Sequence, residues 1–312
     1  MISAAPLTPD TEADDFPARR VHLIFHIPKC AGQTIHHHLS TYAPKGSYYR
    51  VRRRRGPSRL FFKKYALDGM PDTHGVRAIG GHCLGNSIER IFDGRHIERS
   101  ILVRDPVTHF VAHYNFRMMR YISQGLRPYS LDLAYQARQR NFITHFILRN
   151  FLEMSWPRLM SLSAVEQYVT VNQFLSTFWF VGDYTRCDEL LAALAPDLRV
   201  PPAGTIRNSC AQWQSRVQWK PLRVEDLTSR MIEQIRRDNV LDQLLWETWR
   251  DVEQARICMR SHEIHEMPFA EFVATESLRL VSQAKRRFQR GWNAPRGRGV
   301  APAPAFPVPR MG

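Results

Sequence analysis

Four short apolar runs occur along the chain, and each is followed by a loop and by a segment in which apolar residues return with helical spacing. The predicted strands are 21–25, 76–79, 100–103 and 178–181. The predicted helices are 32–42, 106–122, a short one from 87 and another from 185. Brief apolar runs that alternate with helices are typical of parallel strands joined by helical crossovers. The pattern therefore predicts an α/β fold with a mainly parallel central sheet flanked by helices.

Helical spacing dominates much of the remaining sequence. The segments 130–175, 223–256 and 262–290 are helix-rich, so we expect a helix-rich C-terminal part. With 312 residues the chain can form one substantial core or two small ones, and we favour one domain. The predicted organisation is a disordered lead-in at 1–19, a domain at 20–260, a C-terminal helix at 261–290 and a disordered Pro- and Arg-rich tail at 291–312.

The sequence favours a cytoplasmic location. The N-terminal segment is Pro-rich and acidic, and it lacks the basic start and apolar middle of a signal peptide. No apolar run is long enough to span a bilayer. The five cysteines are dispersed without a C-x-x-C pair, which argues against a zinc or redox motif and fits a reducing compartment. The amphipathic segment 268–290, with its basic end, leaves peripheral membrane contact open.

The formal net charge of +15 predicts an anionic partner. Two basic clusters contribute to it, at 48–64 and at 284–299. The first interleaves Tyr and Phe with Arg, which suits an anionic polymer, a sugar or a lipid headgroup. Nucleic acid is a less favoured partner. The second cluster runs into the tail and is interpreted as a solubilising segment. Oligomeric state is not indicated by the sequence.

The segment HIPKCAGQT, residues 26–34, has the features of an anion-binding turn between a strand and a helix. Such a loop directs backbone N–H groups and the positive end of the helix dipole at a ligand. Gly32 allows close backbone approach, Thr34 adds a hydroxyl donor, and Lys29 adds a positive charge. The nucleotide loop G-x-x-x-x-G-K-[ST] carries its Lys at the end, whereas Lys29 stands at the beginning. The segment therefore predicts a phosphate or sulfate site of another kind.

A second candidate anchor lies in VRDPVTHFVAHYNF, residues 103–116. Arg104 follows a predicted strand, and its guanidinium can hold a second phosphate through two parallel hydrogen bonds. Asp105 and Pro106 form a favourable helix start. An Arg104–Asp105 ion pair that only positions the loop is the alternative. Because Lys29, His82, Arg104 and Asp183 all follow predicted parallel strands, we expect them at one edge of the sheet, where ligands bind in such folds.

Together the two motifs resemble those of the sulfotransferases that use 3′-phosphoadenosine 5′-phosphosulfate (PAPS). The resemblance is to the carbohydrate branch, which includes the heparan-sulfate 2-O-sulfotransferases and bacterial relatives and is called sulfotransferase family 2. Further segments with a similar order and spacing are IGGHCLG, NFITHFIL, FVGDYTRCDELLAAL and DNVLDQLLWETW. The resemblance covers roughly residues 20–256. It implies a P-loop-like three-layer fold and PAPS as sulfate donor.

The resemblance also implies roles for individual residues. The first motif binds the 5′-phosphosulfate, and the second binds the 3′-phosphate. The implied cofactor-binding residues are Lys29, Cys30, Ala31, Gly32, Gln33, Thr34 and Arg104. Lys29 stabilises the leaving phosphate, and His82, at the family's G-H position, is the general base. The implied acceptor is a hydroxyl of a carbohydrate or glycolipid, with an anionic acceptor left open.

Histidine also suits the base on chemical grounds, because its unperturbed pKa of about 6.5 lies near neutral pH. No metal is expected, since no Walker Ser/Thr with an acidic partner can be assembled. His36, His37 and His38 are adjacent on a helix and point apart, which argues against a shared metal. His113 and Phe116 are interpreted as helix packing, and His26 as packing at a strand end.

Several residues depart from the family pattern. Cys30 and Gln33 stand where Thr is usual, His109 replaces an Arg, and Ala112 replaces a Ser and cannot donate to a 3′-phosphate. These departures keep a second hypothesis open, that of a polyanion-binding protein with a degenerate cofactor site. A third hypothesis, a nucleotide-dependent kinase, is disfavoured because the Lys-[ST] end of the nucleotide loop is missing.

Overall fold

The computed structural model describes residues 20–53, 65–66, 73–202 and 220–251. Five parallel strands form the central sheet, and two short antiparallel strands pair beside it. The parallel strands are β1 (Arg20–Phe25), β2 (Tyr48–Arg50), β5 (Ala78–Gly81), β6 (His96–Val103) and β7 (Phe180–Asp183). The antiparallel pair is β3 (Arg52–Arg53) and β4 (Tyr65–Ala66). The predicted α/β fold with a parallel sheet is confirmed.

Helices connect and flank these strands. The α-helices are α1 (Gly32–Tyr42), α2 (Pro106–Ile122), α3 (Leu131–Gln136), α4 (Phe142–Phe146), α5 (Trp156–Ser161), α6 (Ala164–Leu175), α7 (Cys187–Leu198), α8 (Ser229–Asp238) and α9 (Val240–Trp249). Short 3₁₀ helices cover Asn86–Phe92, Tyr184–Arg186 and Val224–Asp226, and a π-helical turn covers Ile147–Phe151. The predicted helix-rich segment at 130–175 is confirmed, and the described part of 223–256 is also mostly helical.

The sheet order is β2-β5-β1-β6-β7, which places β1 in the centre. Phe25, the last residue of β1, is opposite Gly81 of β5 and Ile101 of β6. Along the chain, strands are added first on one side of β1 and then on the other. The point at which the order of strands changes direction therefore lies next to β1. In open parallel sheets this switch point forms a crevice at the carboxyl ends of the strands. Loops after β1, β5 and β6 therefore meet at one place.

The core lies on both faces of this sheet. Every residue of β5 is buried, and in β1 only Arg20 is partly exposed. Phe25 is surrounded by Phe151, Phe174 and Phe178 at ring-centroid distances of 4.9, 5.8 and 5.2 Å. Full burial of such a side chain stabilises a fold by roughly 1.5–3 kcal/mol. A parallel sheet covered on both faces explains the uninterrupted apolar runs in the sequence.

The helix boundaries predicted for α1 and α2 are confirmed. Asp105 accepts a hydrogen bond from the Thr108 N–H at 2.8 Å, and Pro106 occupies the first helical position. Both residues therefore start α2 as expected from local helix chemistry.

Other boundaries differ from the sequence prediction. Gly80, Gly81 and Gly182 lie within strands, although they were expected to form turns. The helices expected from 87 and 185 begin as 3₁₀ turns, which at 184–186 lead into α7. Strand β2 was not predicted. It lies at the start of the basic cluster 48–64 and pairs with β5. Pairing with a buried neighbour thus overrides local propensity at these positions.

Several predictions lie outside the described residues, namely those for 1–19, most of 48–64, 261–290 and 291–312. Within the ranges that the structure describes, no helix combines the length and apolar character needed to cross a membrane.

Candidate functional site

A cavity of about 550 Å³ opens at the carboxyl ends of the central strands. The loop after β1, the end of β5, helix α2 and the β7–α7 connection form its walls. The lining residues are His26, Pro28, Lys29, Ala31, Gly32, Gln33, Thr34, His82, Arg104, Ala112, Phe116, Met119, Tyr184, Thr185, Cys187 and Asp188. All the residues predicted for the site except Cys30 line this cavity.

The loop between β1 and α1 turns its carbonyl groups towards protein donors. The Pro28 carbonyl accepts from His109 Nε2 at 2.8 Å, and the Lys29 carbonyl accepts from Arg104 Nη1 at 2.9 Å. Lys29 and Ala31 adopt left-handed backbone angles, with φ of 71° and 54°. Left-handed residues are uncommon outside glycine, so these two bonds hold a backbone that would otherwise be costly.

Two N–H groups where this loop enters α1 have no acceptor within the described part of the chain. Among the described residues, no acceptor bonds the N–H of Gly32 or Gln33, and the N-cap Ala31 provides no side-chain cap. Both residues line the cavity at the start of α1. Open N–H groups at a helix N-terminus form an attractive site for an anion.

Lys29 lies against an aromatic ring of α2. Its Nζ is 4.4 Å from the centroid of Phe116, a distance typical of a cation–π contact. Phe116 was expected to pack within the helix, but it lines the cavity and supports the lysine. The spacing of Ala112, Phe116 and Met119 on one face of α2 was the sequence signal for this wall.

Arg104 is fixed from several sides. Its Nε donates to Thr108 Oγ1 at 3.2 Å, and its guanidinium lies 3.7 Å from the ring centroid of Tyr184. Asp105 caps α2 and does not form an ion pair with Arg104. Since Nη1 bonds the Lys29 carbonyl, Nη2 keeps its two N–H donors without a protein partner among the described residues.

His82 directly follows β5 and presents one ring nitrogen to the cavity. Its Nδ1–H donates to the His26 carbonyl at 2.8 Å, which leaves Nε2 as the hydrogen-bond acceptor. Burial lowers the pKa of His82 below its usual value. The bond to the His26 carbonyl opposes that shift, and the positive charges of Arg50 and Lys29 add to it. The imidazole is therefore neutral near pH 7, with its Nε2 lone pair available.

His26 does more than pack at a strand end. Its ring stacks on His82 at a centroid distance of 3.9 Å, and its Nδ1 lies 3.0 Å from His36 Nε2. His36 in turn bonds the hydroxyl of Tyr48 on β2. Burial lowers the pKa of His26 well below its usual value and that of His36 to about 3. His82 is thus backed by two neutral, buried histidines, His26 and His36.

Gly32 leaves room for the ring of this histidine. A Cβ at position 32 would lie 1.8 Å from His26 Cδ2 and 1.9 Å from His26 Nε2. The ring of His26 is buried, and its contacts with His82 and His36 hold it in place. The imidazole occupies the space beside the α-carbon of Gly32, and the predicted approach of a ligand to the Gly32 backbone stays a prediction.

Cys30 is the one predicted loop residue that does not line the cavity. Its side chain is buried, and its N–H donates to the Ile27 carbonyl at 3.2 Å. Burial raises the pKa of the thiol to about 12, so the group stays protonated. Cys30 therefore contributes to the shape of the loop and not directly to ligand contact.

The two departures in the second motif have different structural meanings. Ala112 lines the cavity, so the hydroxyl usual at this place is missing from the wall. His109 is fully buried, and it joins the Pro28 carbonyl to the guanidinium of Arg138. It therefore supports the loop from the protein interior and does not line the cavity.

Tyr184, Thr185 and Asp188 complete the cavity and were not predicted as ligand contacts. Asp183, which the sequence placed at the same edge, instead accepts from the Thr185 N–H at 3.0 Å and from Trp246 Nε1 at 2.7 Å. It therefore organises the β7–α7 connection. It is the last residue of β7 and does not line the cavity.

One cluster among the described residues has the composition of a cation site, and it lies away from this cavity. Nε2 of His22 is 2.9 Å from Asp197, and its Nδ1 is 3.3 Å from Glu98. Arg20 pairs with both carboxylates, at 2.8 and 3.3 Å. The carboxylates lie on opposite sides of the imidazole and already have a cation. The geometry is that of an ion-pair network.

Comparison with known proteins provides no further guide. No protein-family model matches the chain, and no curated protein matches it at a significant level of sequence similarity. The functional inference therefore rests on the cavity and its residues.

Proposed function

We propose that this protein is a PAPS-dependent sulfotransferase that acts on a hydroxyl of a carbohydrate or glycolipid. The observation that carries the proposal is the shared cavity of Lys29, His82 and Arg104, beside a loop with open N–H groups. Two separated cationic side chains suit a ligand with two anionic groups, and a neutral imidazole suits a reaction that removes a proton.

The residues present fit the proposed cofactor. The open N–H groups of Gly32 and Gln33, with Lys29, would hold the 5′-phosphosulfate. Arg104 would hold the 3′-phosphate through its Nη2 group, without the help of a hydroxyl at position 112. When bound, PAPS supplies an activated sulfuryl group. The carbonyl groups of the loop point to His109 and Arg104, so they do not repel such an anion.

Side chains of this protein would have separate roles in the sulfuryl transfer. His82 Nε2 would accept the proton of the attacking hydroxyl, while the His26 carbonyl holds the ring in the required tautomer. Lys29 would stabilise the negative charge that develops on the leaving oxygen. Phe116 positions the ammonium group of Lys29. General base catalysis typically contributes 10²–10⁴-fold in rate.

The proposed acceptor is a carbohydrate or glycolipid, and the proposed location is the cytoplasm. The net charge of +15 supports an acceptor or partner that is anionic. No metal is required for the roles assigned to Lys29, His82 and Arg104.

The test is calorimetric binding of 3′-phosphoadenosine 5′-phosphate (PAP), the spent cofactor, without magnesium and with ATP in parallel. We expect PAP to bind more tightly than ATP. Arg104→Ala should weaken PAP binding roughly 10- to 100-fold, because charge-assisted hydrogen bonds contribute about 1.5–3 kcal/mol. Arg158→Ala, at an exposed arginine on α5, is the matched control and should bind like the natural protein. Equal PAP affinity in the Arg104 variant would contradict the assigned role.

A polyanion-binding protein is the second candidate, and Ala112 in the cavity wall is the observation that favours it. This candidate predicts no PAP binding together with salt-sensitive binding of heparin. A nucleotide-dependent kinase would instead require ATP and magnesium, and the parallel ATP titration repeated with magnesium tests for it.

A further inference from the structure

A second cavity, of about 230 Å³, borders another face of helix α2. Its walls come from α2, α3 and the start of α4. The lining residues are Phe110, His113, Tyr114, Arg117, Tyr129, Ala134, Ala137, Arg138, Gln139 and Phe142. None of them lines the cavity proposed for the cofactor. The helix therefore separates two pockets, and the roles assigned to Lys29, His82 and Arg104 do not involve this one.

The second cavity combines positive charge with aromatic walls. Arg117 and Arg138 both line it, and no acidic side chain is among the described lining residues. The guanidinium of Arg138 lies 5.5 Å from the Phe110 ring centroid and 5.9 Å from that of Phe142. Burial between these rings lowers the pKa of Arg138 to about 10, yet the group stays charged at neutral pH.

Arg138 has no carboxylate partner among the residues that the structure describes. Its Nη2 donates to Nδ1 of His109, which is a neutral acceptor, and its buried Nη1 has no hydrogen-bond partner within the described ranges. Asp242 attracts Arg138 electrostatically, but its oxygens already accept three hydrogen bonds from Ile143 and Thr144. A buried charged group without a neutralising partner is costly, so the cavity favours an anion beside the Arg138 guanidinium.

His113 and Gln139 add polar groups to the same wall. Burial and the nearby positive charges of Arg138 and Arg117 lower the pKa of His113 well below its usual value. A neutral His113 can donate one hydrogen bond while adding no further charge. The cavity thus offers two cations and neutral donors in a space smaller than a typical drug-sized pocket of 300–1,000 Å³.

We propose that the second cavity binds an oxyanion group, held by the guanidinium groups of Arg138 and Arg117. The chemistry suits a sulfate or phosphate group, because both present several acceptor oxygens to guanidinium donors. The group can come from a free inorganic ion or from a sulfate ester on a sugar. This assignment is independent of the proposed sulfotransferase function, because it uses none of the residues that contact the first cavity.

The test is a titration of the full chain, monitored by two-dimensional NMR. Sodium sulfate and glucose 6-sulfate are added in separate titrations, and glucose serves as the uncharged control. Ionic strength is held constant with chloride. The Arg104→Ala background reduces binding in the first cavity. We expect saturable binding that Arg117→Gln weakens at least 5-fold, since Arg117 is exposed and its replacement leaves the fold intact. The matched control Arg158→Gln should leave the affinity unchanged.

The outcomes separate the sources and the two proposals. Tighter binding of glucose 6-sulfate than of sulfate indicates a sugar-borne group, whereas tighter binding of sulfate indicates the free ion. No saturable binding, or equal affinity in Arg117→Gln, overturns the assignment whatever the PAP result. If the chain binds sulfate but does not bind PAP, the oxyanion site in the second cavity is supported and the proposed sulfotransferase function is contradicted.

Discussion

At the residue scale, the bond from His82 Nδ1 to the His26 carbonyl determines which ring nitrogen is free to take a proton. A backbone carbonyl can only accept, so it selects the Nδ1–H tautomer without any titration of its own. Burial of the His82 ring, together with the positive charges of Arg50 and Lys29, then lowers its pKa and favours the neutral form. The His26 carbonyl therefore sets the tautomer of His82, whereas burial and the nearby positive charges set its protonation state.

This arrangement predicts an NMR result that can be measured without knowing the acceptor substrate. His82 should be the Nδ1–H tautomer at pH 7 and should titrate below the usual histidine value of about 6.5. Long-range proton–nitrogen NMR spectra recorded between pH 8 and 4 report both properties. An Nε2–H tautomer, or a pKa above 6.5, would show that the ring is not arranged as a base.

The contact between Gly32 and His26 predicts a strong coupling between two substitutions. Gly32→Ala should destabilise the natural protein by about 1–3 kcal/mol, because the new methyl group would overlap the buried imidazole. In a His26→Ala background, where the ring is absent, the same change should cost much less. Urea unfolding of the four proteins gives the coupling energy. Additive losses would mean that Gly32 is required for a reason other than the ring.

At the scale of elements, α4 depends on a residue from α9. Asp242 is buried and accepts from the N–H groups of Ile143 and Thr144 at 2.9 and 2.8 Å, and from the Thr144 hydroxyl. Asn141 and Asn239 add reciprocal hydrogen bonds to the backbone between the same two helices. The N-terminus of α4 thus has its cap a hundred residues away in sequence, where no local pattern could reveal it.

Asp242→Ala should lower the free energy of unfolding by about 3–5 kcal/mol, because it removes a buried charged acceptor and leaves two N–H groups unpaired. The matched control is Glu247→Ala, an exposed carboxylate on the same helix, for which the loss should stay within about 0.5 kcal/mol. Chemical denaturation measures both. A small loss in the Asp242 variant would show that water replaces the carboxylate at the end of α4.

Elements with local signals could be predicted from the sequence. The start of α2 follows from Asp105 and Pro106, and the extent of α1 follows from its apolar spacing. Strand β2 could not be predicted, because Tyr48–Arg50 gains its conformation from pairing with β5. Of the candidate site, the charged residues after strands were predictable. The roles of His26, His109 and Phe116 were not, because each depends on a contact between distant segments.

At the scale of the whole molecule, several histidines are buried in the neutral form. Burial lowers the pKa values of His22, His26, His36, His82, His109 and His113. The unfolded chain binds protons at these groups near pH 6.5, whereas the folded chain does not. The unfolded state therefore gains protons first as the pH falls, and stability decreases with acidification below about pH 6.5.

A single variant can measure part of this effect. The pKa of His36 is lowered to about 3, so this group alone should cost about 2 kcal/mol of stability between pH 7 and pH 5. In His36→Gln, whatever its stability at pH 7, the decrease between these pH values should be smaller by that amount. His37→Gln, at the partly exposed neighbour on α1, is the control. Equal pH dependence in His36→Gln and the natural protein would contradict the assignment.

The carbonyl anchors of the β1–α1 loop have a consequence for sequence variation. His109 and Arg104 donate hydrogen bonds to the main-chain carbonyls of Pro28 and Lys29. A residue of any type has such a carbonyl oxygen. The side chain at 33 can therefore vary over evolutionary time without loss of the loop's shape. A saturation library at position 33 should tolerate most residues, whereas positions 104 and 109 should tolerate few, and position 31 should favour residues that accept its left-handed backbone. A short motif search that depends on the loop's letters would then miss relatives that share its geometry.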